Sequence, residues 1–294
     1  MKQRLALVLI LGLGIASLVV VQRRHEHATA SANAVINMVA DAQRDTLRAP
    51  LQLTRLSDDE ETRIGDDLAD HYAMVFRADR VSDDDAINRD VQRIGGRLAA
   101  HANRKLQYRF HLIRDKNFLN AFALPGGHVF IGLGLIEIMN TEDELASVLG
   151  HELEHIDHYH CVERVQLEAQ MRKLQLGVVG DLVQLPLTIF EAGYSKDQEA
   201  EADREGILLA VAGGYSPYGA VSMFEKFARL HHDTTTQPNS PPEELSQLAL
   251  ETLAGYFRSH PRPEERLAQA KQVIREHRLT RQTAQTPLPS SSKS

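Results

Sequence analysis

Two imidazoles and a carboxylate stand at fixed spacing in His151-Glu152-Leu153-Glu154-His155. On a helix, positions i and i+4 lie about 40° apart on one face, so both rings can reach one divalent ion. Glu152 falls beside them, where it can take a proton from a zinc-bound water. Zinc suits this work because it lowers the pKa of its water to about 7 and polarises a carbonyl without redox chemistry. Such a centre needs a third protein ligand and leaves the fourth position open. The three-histidine extension of the pattern fails, since position 158 is His rather than Gly and position 161 is Cys. His160 stands about 180° round the helix from His151, and His158, a rise of about 10 Å along the axis from His151, stands beyond the ion. Neither can then bind the same metal.

A downstream carboxylate is the better candidate. In Glu199-Ala200-Glu201-Ala202-Asp203, Glu199 and Asp203 share a helix face with Gly206 and Ala210, small enough for close packing, whereas Glu201 points away with Glu205. Glu199 is therefore the expected third ligand. Asp203 is the natural acceptor for the other N–H of a zinc-bound imidazole, fixing its tautomer.

The elements that must hold these groups are marked by their ends. Thr141-Glu142-Asp143-Glu144 is a capping box, and the helix it opens carries His151 to His155. Leu145, Val148, Leu149 and Ile156 form its apolar stripe, with Glu152 inside it and both histidines on its edge. Groups placed there are costly to bury unless paired or metal-bound. Ser195 with Gln198 opens the carboxylate helix, which closes near Gly213-Gly214. Upstream, Ser57 to Glu60 opens a helix to about Phe76, and Ser82 to Asp85 opens another through Ile87, Val91, Ile94 and Leu98. Tyr108 to Leu112 alternates and reads as a strand. Asn120 to Leu124 and His128 to Ile131 read as a hairpin about Pro125-Gly126-Gly127. Ser216-Pro217 starts a further helix. Residues 174–190 are apolar but interrupted by Asp181 and Pro186, which suits a buried or lid-like segment rather than a second membrane span. Residues 232–247 read as a long polar loop.

Composition bounds the setting. The chain has 294 residues, 43% hydrophobic and 25% charged, enough for one sizeable core. A net charge of −7 and the lack of any Lys/Arg stripe argue against a nucleic-acid partner. Cys161 is the only cysteine, which rules out an intramolecular disulfide and a cysteine zinc knuckle. Lys2 and Arg4 precede an apolar run from Leu5 to Val21, closed by Arg23 and Arg24. This run reads as an uncleaved signal anchor in preference to a cleaved signal peptide, with the domain exported in either case. The expected organisation is a signal segment over 1–24, a stalk over 25–56, a metallopeptidase domain over 57–280 and a disordered tail over 281–294.

Four elements in order carry a resemblance to a known group: Asn120-Ala121-Phe122 with Pro125-Gly126-Gly127, the H-E-x-x-H continued to His160, Glu199 with Ala202-Asp203, and His260-Pro261 followed by Arg266. Together they resemble the zinc metallopeptidases that include HtpX, BepA and the CAAX prenyl protease, most of all the BepA-like members with a single anchor or a periplasmic location. The resemblance covers roughly residues 55–275. It implies an α+β zincin-like fold, mostly helical with a small sheet, and one Zn²⁺ held by His151, His155 and Glu199, with Glu152 as general base. It further implies that Asn120, Ala121 and Phe122 form the edge strand along which an extended substrate lies, in keeping with the main-chain hydrogen bonds an open edge offers. His260 would approach the metal, either stabilising the oxyanion or filling the open position as an inhibitory switch. The expected function is a zinc endopeptidase acting on misfolded or misassembled envelope proteins, anchored to the inner membrane facing the periplasm or free in the periplasm. A chaperone-like binding module that keeps a structural metal is the alternative, and the intact Glu152 argues against it.

Overall fold

A computed structural model describes residues 56–78, 86–166, 194–236, 253–254, 256, 260, 263–280 and 287–288. The expected signal segment, nearly all of the stalk, the 174–190 segment and the helix-opening residues Ser82 to Asp85 lie outside these residues. Among the described residues, no helix is long and apolar enough to cross a membrane.

Local chemistry sets the elements. Helix α1 (Asp58–Phe76) starts at a capping box in which the Ser57 hydroxyl accepts from the Glu60 N–H while the Glu60 side chain accepts from the Ser57 N–H. Helix α2 (Ala86–Ala99) buries Val91, Ile94 and Leu98 along one stripe. Three strands follow, β1 (Arg109–Ile113), β2 (Ala121–Leu124) and β3 (His128–Gly132). They form one mixed sheet in the order β1-β3-β2, with β1 parallel and β2 antiparallel to β3. The β2–β3 turn is Pro125–Gly127, where Gly126 at φ 77° and Gly127 at φ 100° take conformations that side chains resist. Helices α3 (Leu133–Glu137), α4 (Glu142–Asp157), α5 (Lys196–Ala212), α6 (Tyr218–Thr236) and α7 (Pro263–Glu276) complete the labelled elements. The expected polar loop therefore starts late, because α6 runs to Thr236. Within the expected tail, Pro287 pairs with Thr141, and the Leu288 N–H donates to the Asn140 carbonyl while its side chain joins the core.

The sheet separates two apolar layers. Phe122, Leu124 and Phe130 face α1 and pack with Leu68, Ala69 and Tyr72. The Phe122 and Phe130 rings stack at 4.9 Å. On the other side, Ala121, Ala123, Val129 and Ile131 meet Leu145, Leu149, Leu153 and Ile156 of α4. Small alanines on that face of β2 let the helix carrying the two histidines lie close to the strand. Helix α4 is not amphipathic as its stripe suggested, since every residue from Asp143 to Asp157 is buried. It is the central strut, contacted by α2, α5, α6 and the sheet.

A buried ion cluster ties α1, the hairpin turn and the end of α4 together. The Arg104 guanidinium donates to both Glu61 oxygens, at 3.0 and 2.5 Å, and to the Ile156 carbonyl at 3.0 Å. Glu61 also accepts from the Gly126 N–H at 3.0 Å, and Asp157 accepts from the Asn103 and Arg104 N–H groups.

Candidate metal centre

Helices α4 and α5 cross at two glycines. A Cβ on Gly206 would stand 2.9 to 3.1 Å from the backbone of His151 and Gly150, and one on Gly150 would meet the Gly206 carbonyl at 2.9 Å. Only hydrogen at both positions allows this approach. It sets Asp203 and Glu199, one and two turns before Gly206, against the two histidines of α4.

The result is a buried convergence of donors. Single ligand atoms of His151, His155, Glu199 and His260 all lie within 4.8 Å of one another. The His151 and His155 Nε2 atoms are 3.1 Å apart, and each lies 3.6 Å from a Glu199 oxygen. Glu199 Oε1 is buried and accepts no hydrogen bond, while Oε2 accepts from His260 Nδ1 at 2.7 Å. An acceptor without a donor, deep among facing ring nitrogens, fits a cation at their centre. Two imidazoles and a carboxylate suit zinc.

The surrounding groups fix this arrangement. His151 Nδ1 donates to Asp203 Oδ1 at 2.9 Å. Arg266 of α7 clamps Asp203 through Nε at 2.9 Å and Nη2 at 2.6 Å, and donates from Nη1 to the Tyr256 hydroxyl at 2.8 Å. Burial pushes the Asp203 carboxyl upward, but Arg266 and His151 overcome it and hold the group well below the usual carboxylate range. The His155 ring stacks on Tyr194 at 3.7 Å, and burial followed by repulsion from His151 keeps it well below the ordinary histidine range. Glu152 is buried beside the convergence, and burial, reinforced by Glu199, raises its carboxyl to about 7. The nearby Ala123 backbone of β2 pulls weakly the other way, favouring the charged form.

Several sequence expectations meet a different geometry. His160 is not on the far side of α4, because that helix ends at Asp157 with His158 as its cap. Tyr159 turns the chain at φ 63°, helix resumes at His160, and the His160 ring comes back to within 2.9 Å of His155 Nδ1. Glu201 does leave the Glu199 face, but it pairs with His158 and His160. Strand β2 is a sheet edge, yet all four of its residues are buried, as is Asn120, so the edge is not open in this conformation. Reading residues alone gave no weight to Tyr194 or Arg266. Tyr194 sits just before the Ser195 cap, a position that signals where a helix begins but not what the preceding ring touches.

A small mixed sheet laid on a buried H-E-x-x-H helix, with carboxylates brought in by a second helix, is the layout of a zincin-like metallopeptidase domain. The chain belongs to Peptidase family M48, whose profile matches residues 85–274. It is similar to the beta-barrel assembly-enhancing protease of Yersinia pestis, 28% identical over 74% of this chain and 44% of that protein. It is also similar to the protein of that name from Escherichia coli strain K12, 29% identical over 69% of this chain and 42% of that one. Metalloprotease LoiP of the same strain is 31% identical over 42% of this chain and 52% of its own length. This chain thus spans less than half the length of either assembly-enhancing protease.

Proposed function

We propose that this chain is a zinc-dependent endopeptidase that cleaves misfolded or misassembled proteins of the cell envelope. One observation carries the reading: two imidazoles and a donor-less Glu199 oxygen converge beside a buried Glu152 on a helix packed against a sheet-edge strand. His151, His155 and Glu199 hold the metal. Zinc, when bound, supplies Lewis acidity to the substrate carbonyl and acidifies water. Glu152 takes the proton of the attacking water and returns it to the departing amine, and its raised proton affinity suits both halves of that transfer. Asp203, locked by Arg266, keeps the His151 ring in register. His260 holds Glu199 Oε2, which leaves Oε1 for the metal, and its place among the four converging groups suits a role at the open coordination position. Once the buried edge of β2 is uncovered, the substrate lies extended along it, with Asn120, Ala121 and Phe122 offering backbone.

The names of the bacterial relatives favour the envelope as the place of action. The 1–24 segment serves as inner-membrane anchor or export signal, and the domain faces the periplasm. The test is Glu152→Gln in the full chain. Casein cleavage is expected to fall by about 10²- to 10⁴-fold with zinc staying near one per chain. Full cleavage by the variant removes Glu152 from the mechanism. Zinc binding without cleavage by the unaltered chain would favour a binding module instead.

A further inference from the structure

The two metal-facing imidazoles are oriented by different devices. His151 donates directly to a carboxylate, Asp203. His155 instead meets another histidine: its Nδ1 lies 2.9 Å from His160 Nδ1, and His160 Nε2 lies 3.2 Å from Glu201 Oε2. Tyr159 adopts a left-handed backbone, which a residue with a side chain resists, and this brings His160 round onto its own helix end. His155 and His160 are both fully buried, whereas Glu201 is about a third exposed.

Proton positions along this chain follow from one fixed end. A carboxylate only accepts, so His160 Nε2 carries a proton. In the neutral ring, His160 Nδ1 is then a lone pair, and His155 Nδ1 is the donor between the two rings. That leaves His155 Nε2 bare, aimed at the same point as His151 Nε2 and Glu199 Oε1. We propose that His160 and Glu201 are positioning residues that act as a relay, setting the His155 tautomer so that its Nε2 faces the metal. The Tyr194 ring, stacked on His155, fixes the ring's plane and leaves the relay to fix its protons.

This inference rests on the metal centre proposed above, and the experiment separates the two. Zinc affinity of the full chain is measured by competition with a chromophoric chelator, and the visible absorption of the cobalt(II)-substituted protein is recorded. His160→Ala is expected to weaken zinc binding by about 10- to 100-fold. Glu201→Ala is expected to weaken it several-fold and, like His160→Ala, to shift the cobalt bands. Glu201→Gln, whose amide oxygen still accepts, restores both readouts. Arg204→Ala, on the same helix and paired with Glu205, leaves both unchanged. If His160→Ala fails to fold, the partly exposed Glu201 pair of variants decides the matter. Wild-type zinc affinity and cobalt spectrum in Glu201→Ala overturn the relay alone. An unaltered chain that binds no zinc overturns the centre and the relay with it.

Discussion

Two clusters of buried charge in this molecule differ in how far their polar atoms satisfy one another. Around Arg104 and Glu61, donors meet acceptors: both terminal guanidinium nitrogens and both carboxylate oxygens are engaged, and the Gly126 N–H joins them. Around Glu199, acceptor faces acceptor: one oxygen has no donor, and two imidazole nitrogens point at each other across 3.1 Å. Both clusters are equally inaccessible, with Glu61 and Glu199 each 0% exposed. Burial of charge therefore does not separate structure from function here. Convergence of lone pairs with nothing to satisfy them does.

The contrast can be broken from either side. Arg104→Ala leaves Glu61 buried without its cation, and global stability is expected to fall by about 3–5 kcal/mol in urea denaturation, with or without zinc. Stripping metal with a chelator has the complementary signature. With zinc a thousandfold above its dissociation constant, removal is expected to lower stability by about 4 kcal/mol, and zinc alone reverses it. The same chelation of Arg104→Ala should give a similar decrement, because among the described residues no side chain is hydrogen-bonded to both clusters.

Gly206→Ala probes the geometry between helices. The added methyl meets backbone at 2.9 to 3.1 Å, so α5 must move away from α4 and take Glu199 with it. A fraction of an ångström there is expected to reduce cleavage by about 10²-fold, with a smaller change in folding stability. An unchanged rate would mean that the crossing tolerates slack.

The smallest effect concerns a third polar group, on the face of the sheet that meets α1. His111 Nε2 contacts His128 Nδ1 at 3.0 Å, His128 Nε2 contacts Asp66 at 2.9 Å, and Arg109 pairs with Asp66 at 2.7 Å. Burial, helped by His128 and Arg109, lowers the His111 pKa from 6.5 to about 4. The unfolded chain thus binds a proton there before the folded one does. The stabilisation this gives is complete above about pH 6.5 and declines as pH falls toward 4. His111→Phe should flatten that decline, seen as a smaller drop in unfolding midpoint between pH 7 and 4.5. An identical pH profile in the variant would place the acid sensitivity elsewhere.

Much of the frame was legible because ends of elements are local chemistry. Ser57, Thr141 and Ser195 with their partners three residues on each fix a helix start, and all three form capping boxes. The hairpin followed from Pro125-Gly126-Gly127 between β-prone runs. The pairing of α4 with α5 was legible only as a face, Glu199 with Asp203 and Gly206. What escaped was set by tertiary contact. Nothing in Tyr159 announces a left-handed turn, so projecting His160 onto a continuing helix put it on the wrong side. The all-round burial of α4 was hidden for a related reason, since Glu144 and Asp157 look solvated until their partners arrive from other elements. Glu144, for example, is held by Lys226 and Ser222 of α6.

Alanines at 121 and 123 seat the helix that carries Glu152 directly against the edge strand. On the function proposed above, the ribbon of backbone that would receive a guest and the base that would act on it rest on one packed seam. A displacement of that ribbon would then carry over to the aim of the base.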